Sequence, residues 1–368
     1  MIKKIISGCI CLVMLASCSG PRKKTIPIAK PRPYLTMSVP AKQTSEVNWK
    51  QLPGWYNDSL IGTLSALKQS CIKLNNQEKW QTICREIINV DELNSKASRD
   101  FFEKYFTPYP LLNADGTDIG LVTGYYEPLL YGSRKKSEKY AYPLYRWPNA
   151  LARDTKLPAR AALSQSQYLA GNELVYVDDP IDMFFLQVQG SGRIILDDGH
   201  IMRVGFSASN NQPYRSIGSW LIQQGELTAG QATMQGIKKW ARLNPQKINT
   251  LFNINPRFVF FKELTSAGRI GDDQSKLDGP IGALGVPLTP ERSIAVDPTA
   301  IDLGVPIFLS TTHPINNSQL NRLVFAQDTG SAIKGVVRAD YFWGFGDAAG
   351  EVAGRTKQSG KMWVLVPK

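Results

Sequence analysis

The period of apolar positions changes twice along this chain of 368 residues. In the first third, apolar residues recur at helical spacing. Leu60, Ile61, Leu64, Leu67 and Cys71 fall on one face of a helix that Asp58 is placed to cap. Trp80, Ile83, Cys84, Ile87 and Ile88 predict a second helix. Ala97, Phe101, Phe102 and Tyr105 predict a third, stopped near Pro108 and Pro110. From Ile119 the helical period gives way to short apolar runs between Gly and Pro. Leu121 to Pro128, Leu174 to Val177, Phe184 to Val188, Ile194 to Leu196 and His200 to Val204 predict strands, and Asp197-Asp198-Gly199 predicts a hairpin turn.

Two helices interrupt this region. One carries Ile217, Trp220 and Leu221 and ends near Gly225; the other carries Met234, Ile237 and Trp240 and ends before Pro245. Phe258 to Phe261 reads as a buried strand. β character then returns to the end of the chain: Gly279-Pro280-Ile281-Gly282 and Gly304-Val305-Pro306 mark turns, and Leu323 to Ala326 and Met362 to Val366 read as strands. Many short strands between such turns predict barrels rather than a doubly wound sheet. The fold class is therefore mainly β with N-terminal helices, an α+β arrangement.

One apolar run belongs to no fold. Met1-Ile2-Lys3-Lys4 is a basic start, Ile5 to Leu15 a short apolar core, and Leu15-Ala16-Ser17-Cys18 the close. This is the order of a secretion leader. The core is shorter than the roughly 20 residues a membrane-spanning helix needs. The tetrapeptide resembles the bacterial lipobox, whose Cys is diacylated and becomes the new N-terminus. An ordinary secretory cut beside an incidental Cys is the alternative. Ser19 rather than an acidic residue follows Cys18, which favours outer-membrane sorting. The expected location is the periplasmic face of the outer membrane, with the lipid on Cys18 as the anchor. From Ser19 to about Gln43 the chain is rich in Pro, Lys and Arg and reads as a solvated linker.

The leader changes what composition implies. A formal net charge of +12 would suggest nucleic acid for a cytoplasmic protein. An exported one meets peptidoglycan carboxylates, lipid headgroups and lipopolysaccharide instead, so nucleic acid is not expected as a partner. Of five cysteines, Cys9 and Cys11 leave with the leader and Cys18 is acylated. Cys71 and Cys84 remain as a pair in an oxidising compartment, where a disulfide closing so short a loop contributes about 3 kcal/mol. Two separate buried thiols are the other reading. His200 and His313 are the only histidines, and no HExxH, paired CxxC or Walker loop is present. A His-dependent triad, a metal site and a cofactor are not expected, which leaves carboxylates, hydroxyls and backbone amides.

Carboxylates are densest near the C-terminus. Asp328-Thr329-Gly330-Ser331-Ala332-Ile333-Lys334-Gly335 is followed by Arg338-Ala339-Asp340-Tyr341-Phe342-Trp343-Gly344 and then by Gly346-Asp347. A strand, a Gly-rich turn and a returning strand would bring Asp328 and Asp340 together. Tyr341, Phe342 and Trp343 would desolvate Asp340 and raise its pKa, as a general acid requires. Beside glycine, however, Asp more commonly caps a turn, and Asp347 fits that use best.

The motif resembles the three-Asp domain that closes the membrane-bound lytic murein transglycosylase A family. Further motifs match in the family's order. They are Thr123-Gly124-Tyr125-Tyr126-Glu127-Pro128, Tyr142-Pro143-Leu144-Tyr145-Arg146, the run from Phe184 to Gly192, Tyr214-Arg215-Ser216-Ile217-Gly218, and Asn255-Pro256-Arg257-Phe258-Val259-Phe260-Phe261. Ser331 and the stretch from Val336 to Ala339 depart from the family pattern without removing a carboxylate. The resemblance implies a double-psi β-barrel domain, a second β-rich inserted domain and a substrate groove between them. The expected division is leader 1–17, lipidated Cys and linker 18–46, helices and barrel 47–126 with 265–368, and insert 127–264.

The resemblance further implies that Asp340 is a single catalytic acid, with Asp328 supporting it. It places Thr123 and Gln189 along the sugar path. Tyr125 and Tyr126 are candidate stacking surfaces, with core or barrel-closing residues as the alternative, and Gln189, Gly190 and Ser191 are candidate contacts to sugar N-acetyl or hydroxyl groups, with a plain turn as the alternative. The expected substrate is the peptidoglycan glycan strand, cut without water, and cell-wall synthesis or division proteins are candidate partners. A lysozyme-like muramidase and a non-catalytic peptidoglycan-binding or loosening protein are the alternatives.

Overall fold

The computed structural model describes residues 45–264 and 279–368; the leader, Cys18 and most of the linker lie outside the described residues. Three helices open the body: α1 (Thr63–Leu74), α2 (Glu78–Glu86) and α3 (Ser95–Tyr105). A disulfide between Cys71 and Cys84 joins the first two. Asp58 does not cap α1. Gly62, at φ 80°, holds that position, and Asp58 forms a buried ion pair with Arg292 instead. The third helix ends at Tyr105, three residues before Pro108, as expected, but the prolines themselves continue in regular structure. Phe106–Pro110 is a strand, β1, at the sheet edge, where a residue lacking an N–H is tolerated.

After β2 (Gly120–Glu127) the chain builds a second sheet from β3 (Leu129–Ser133), β4 (Tyr142–Tyr145), β5 (Glu173–Val177), β6 (Ser191–Leu196), β7 (Ile201–Ser209) and β8 (Val259–Glu263). Their order across the sheet is β4-β5-β3-β6-β7-β8. The helices of this region are α4 (Arg160–Leu163), α5 (Pro180–Gln189), α6 (Ile217–Gln223), α7 (Met234–Leu243) and α8 (Ile248–Asn253).

The strand expected from Phe184 to Val188 is the second half of α5. Asp179 caps this helix by accepting from the N–H groups of Ile181 and Asp182, and Pro180 occupies its first turn. Ile181, Phe184 and Phe185 then pack with Ile217, Leu221, Ile237 and Trp240. A five-residue apolar run carries no period of its own, so the cap and the proline before it decide.

The chain returns through β9 (Ser293–Val296), β10 (Pro306–Thr312), β11 (Gln319–Thr329), β12 (Arg338–Phe345), α9 (Gly346–Arg355) and β13 (Lys357–Pro367). The strands run β13-β10-β11-β9-β12-β2, and β2 pairs back onto β13. The ring is closed, which removes its edges. This six-stranded barrel with a second, inserted sheet is the double-psi plan. The largest core joins the barrel strands to the N-terminal helices, with Trp55, Trp80, Phe102, Phe106, Phe308, Phe325 and Tyr341 all buried.

Three contacts tie the insert to the barrel domain. The fully buried Glu127 carboxylate accepts from Arg193 of β6 at 2.9 Å, and the Arg193 guanidinium lies 4.0 Å from the Phe345 ring centroid. Gln235 of α7 donates to the carbonyl of Gly350 on α9 at 3.0 Å.

Candidate active site

Asp328 and Asp340 are brought together by a strand that the motif does not contain. β9 lies between β11 and β12, and Ala295 is in register with Asp328 on one side and Asp340 on the other. Asp340 is in register with Thr123 of β2 on its far side. Cross-strand partners share a face. Asp328, Ala295, Asp340 and Thr123 therefore form one row, and the Ala295 methyl leaves the space between the two carboxyls open.

A bulge sets this row. Ala326 pairs with Ile294, but the next pair is Asp328 with Ala295, so Gln327 is an extra residue. The Gln327 side chain is fully buried. It donates to the Ala66 carbonyl at 2.7 Å and to Ser70 Oγ at 3.0 Å, and it accepts from Ser293 Oγ at 2.6 Å. These bonds peg the bulge to α1 and to β9. Asp297, two residues past Ala295, accepts from the Gly335 N–H at 3.0 Å and so holds the turn between β11 and β12.

Strand alternation splits the aromatic run. Tyr341 and Trp343 point into the large core, and only Phe342 shares the face of Asp340. Phe342 joins Tyr125, Leu288, Ala295 and Ile333 in a small apolar cluster beneath the carboxyls. Both aspartates are half-buried. Burial pushes the Asp328 pKa up to about 6, with the nearby Asp340 charge adding to the rise and the N–H groups of Thr329 and Ala283 and the Tyr125 hydroxyl opposing it. Burial also raises Asp340, against a hydrogen bond from Thr123 and the charge of Arg338. Burial first, and then the two carboxylates, hold the Tyr125 hydroxyl well above its ordinary value, so it remains a neutral donor.

The two carboxyls are bonded unequally. Asp328 Oδ1 accepts from the Ala283 N–H at 2.9 Å, and its Oδ2 accepts from the Tyr125 hydroxyl at 3.0 Å. Asp340 Oδ1 accepts from the Thr123 hydroxyl at 2.5 Å, and no described protein donor reaches its Oδ2. Residues 279–288 carry the Ala283 amide across the rim, pinned by Leu284 N–H on the Gln327 carbonyl at 3.0 Å.

The other expected site residues divide into two groups. Thr123 and Tyr125 lie in the site. Tyr126 is turned to the opposite face, buried in the large core against Gly350. Its backbone N–H donates to Gln189 Oε1 at 3.1 Å, which brings the C-terminus of α5 against β2. Gly190 is the left-handed C-cap of α5 at φ 85°, and Ser191 opens β6. Among the described residues no hydrogen bond links either to the aspartates. Sequence pattern alone assigns no role to Arg338, Ala295, Gln327 or Ala283. Only Arg338 leaves a signal, since two positions before Asp340 on a strand puts it on the same face. Among the described residues, no group of three or more His, Cys, Asp or Glu is arranged to hold a metal ion.

Comparison with known proteins adds the following. Residues 121–262 match the MltA specific insert domain, and residues 292–366 match the 3D domain. The chain is 34% identical over 251 residues to the membrane-bound lytic murein transglycosylase A of Escherichia coli, covering 66% of this chain and 64% of that protein. It spans just under two thirds of the length of the curated relatives it matches. Among solved structures it resembles the lytic transglycosylase LtgG of Burkholderia pseudomallei, at 60% identity and a TM-score of 0.64, over 88% of this chain and 95% of that one. It also resembles MltA from Neisseria gonorrhoeae, at 35% identity and a TM-score of 0.74, over 88% of this chain and 92% of that one.

Proposed function

The chain belongs to the membrane-bound lytic murein transglycosylase A family, and on that premise we propose that it cleaves the β-1,4 bond between N-acetylmuramic acid and N-acetylglucosamine in peptidoglycan without consuming water. The observation that carries the assignment of roles is the unequal bonding of the two aspartates. Asp328 has both oxygens engaged by donors, the pattern of a carboxylate. Asp340 has one oxygen engaged and no described protein donor on the other, the pattern of a carboxylic acid with a proton to give; burial raises both carboxyls, so the bonding and not the pKa separates their roles.

In this reading, protonated Asp340 gives the Oδ2 proton to the glycosidic oxygen as the bond to muramyl C1 breaks. Positive charge builds on C1 and the ring oxygen. The Asp340 carboxylate then takes the proton from the muramyl C6 hydroxyl, and that oxygen closes on C1. The product is a 1,6-anhydromuramyl end, and Asp340 is returned protonated. Glycosidases that use water work with two carboxylates, one of them for the water or the sugar. Here the second carboxylate acts differently, and Asp328 keeps the neighbouring charge and hydrogen bonds in place. Thr123, Tyr125 and Gln189 line the approach of the glycan. The lipid on Cys18 and the linker that follows it keep the enzyme on a tether at the outer membrane, facing the insoluble wall.

The test compares wild type with Asp340→Asn on purified sacculi, with soluble products weighed by mass spectrometry. Wild type is expected to release muropeptides lighter by one water than those from a muramidase, and the variant none. Reducing muramic ends would replace the lyase with a hydrolase. Full activity in Asp340→Asn would overturn the site.

A further inference from the structure

Thr123 has a single hydroxyl proton, and the groups on either side of it determine where that proton points. Arg338 Nη2 donates to Thr123 Oγ1 at 2.9 Å, and guanidinium has no acceptor. Thr123 Oγ1 lies 2.5 Å from Asp340 Oδ1. With one lone pair taken by Arg338, the hydroxyl proton is directed to Asp340. Arg338 is itself fixed: its Nη1 donates to the carbonyls of Ala339 at 2.5 Å and Leu121 at 3.3 Å, one on β12 and one on β2. The planar fork therefore spans both strands that carry the Thr123–Asp340 pair, and a lysine could not make those bonds together.

We propose that Arg338 is a positioning residue for the proton donor: through Thr123 it keeps Asp340 Oδ1 as an acceptor, so that the transferable proton resides on Oδ2, and it holds a fixed positive charge beside the carboxyl. The proposal rests on the reading of Asp340 as the acid. It also bears on the departure from the family pattern before Asp340, since Arg338 stands within that stretch.

The charge has a consequence for pH. The groups facing Asp340 are Arg338 on its own strand, Thr123 and Tyr125 on β2, and Asp328 on β11; β9 contributes only Ala295, and Lys357 of β13 is in register with Thr123. Arg338 favours the ionised form of Asp340 and Asp328 disfavours it. Removing the Arg338 charge raises the Asp340 pKa, which keeps the acid protonated to higher pH.

The experiment measures initial release of soluble muropeptides at limiting sacculus concentration from pH 4 to 9, for wild type, Arg338→Gln, Arg338→Lys, Thr123→Val, the Arg338→Gln/Thr123→Val double variant and Asp340→Asn. Thermal melts check folding. Arg338→Gln is expected to move the alkaline limb up by about one pH unit and to lower the maximum at least about tenfold. Arg338→Lys, which keeps the charge and loses the fork, is expected to lower the maximum while the limb stays near wild type. The double variant is expected to be no slower than Thr123→Val alone, because Arg338 acts through Thr123. An unmoved limb in Arg338→Gln, or a wild-type maximum in Arg338→Lys, overturns the proposal while an inactive Asp340→Asn leaves the acid assignment standing. If Arg338→Gln does not fold, the Arg338→Lys maximum and limb decide. Activity in Asp340→Asn removes the premise instead.

Discussion

Asp328 and Asp340 lie on strands that do not pair with each other, yet both stand opposite the same residue, Ala295. Two strand spacings separate their backbones, about 10 Å, and only a methyl group rises between their side chains. Replacing Ala295 with Leu is expected to fill that space. Overpacking there costs about 1–3 kcal/mol, so the protein should still fold. Release of muropeptides is expected to fall by about a hundredfold or more, because the reacting carboxyl is displaced. Ala295→Gly is expected to keep most activity. A fully active Ala295→Leu would mean that the carboxyls do not work across this gap.

Gln327 governs the same geometry from the opposite side of the strand. Without the bulge, Gln327 would face Ala295 and Asp328 would turn away, since a one-residue slip exchanges the faces of a strand. Gln327→Ala removes three side-chain bonds that peg the bulge to Ala66, Ser70 and Ser293. The expected result is a loss of about 1–3 kcal/mol of stability together with an activity loss at temperatures where the variant is fully folded. Melting curves and sacculus assays on the same preparation separate the two effects. Unchanged turnover at full folding would assign the bulge to stability alone.

These two positions illustrate where the sequence is legible. The Asp motif and the aromatic run are visible because they lie within one short stretch of the chain. The N-terminal helices are visible because their apolar period extends over three turns. The bulge at Gln327 and the interposed β9 are not, since each depends on pairing with residues far along the chain. Asp58 reads as a cap because its sequence neighbours fit one; its actual partner is more than two hundred positions away. Phe184 to Val188 reads as a strand when its apolar residues outweigh the Asp179-Pro180 start signal. What escapes is non-local register, together with one local signal given too little weight.

The two carboxyls titrate as a coupled pair. Burial first, and then the neighbouring Asp340 charge, raise Asp328 to about 6; by the same like-charge repulsion an ionised Asp328 disfavours ionisation of Asp340. Asp328→Asn is expected to lower the Asp340 pKa, so the alkaline limb of activity moves to lower pH, opposite to the shift expected on removing Arg338. The acidic limb, where Asp328 gains its proton, is expected to disappear. Rate profiles on sacculi check both limbs, and an alkaline limb that moved upward in Asp328→Asn would contradict the coupling.

Asp58 supplies a test of stability that does not touch the site. Its carboxylate is fully buried and receives Arg292 Nη1 and Nη2 at 2.9 Å each, Arg322 Nη1 at 3.2 Å, and the backbone N–H groups of Leu323 at 2.9 Å and Leu60 at 3.1 Å. Burial alone would raise its pKa, but the Arg292 pair and the two backbone bonds outweigh burial and hold it below the ordinary carboxylate value. A depressed folded pKa means stability that is present above the unfolded value, about 3.9, and that is lost as pH falls through the folded one. Asp58→Asn leaves Arg292 buried without its counter-charge. The expected cost at pH 7 is about 3–5 kcal/mol, read as a lowered melting temperature. The gap to wild type is expected to narrow as pH falls below 4, because wild type then gives up what the variant already lacks. Pairing Asp58→Asn with Arg292→Met is expected to recover part of the loss at pH 7, since no unpaired charge remains in the core. Equal melting temperatures for wild type and Asp58→Asn at pH 7 would refute this account of how the N-terminal segment is locked to β11 and to the residue preceding β9.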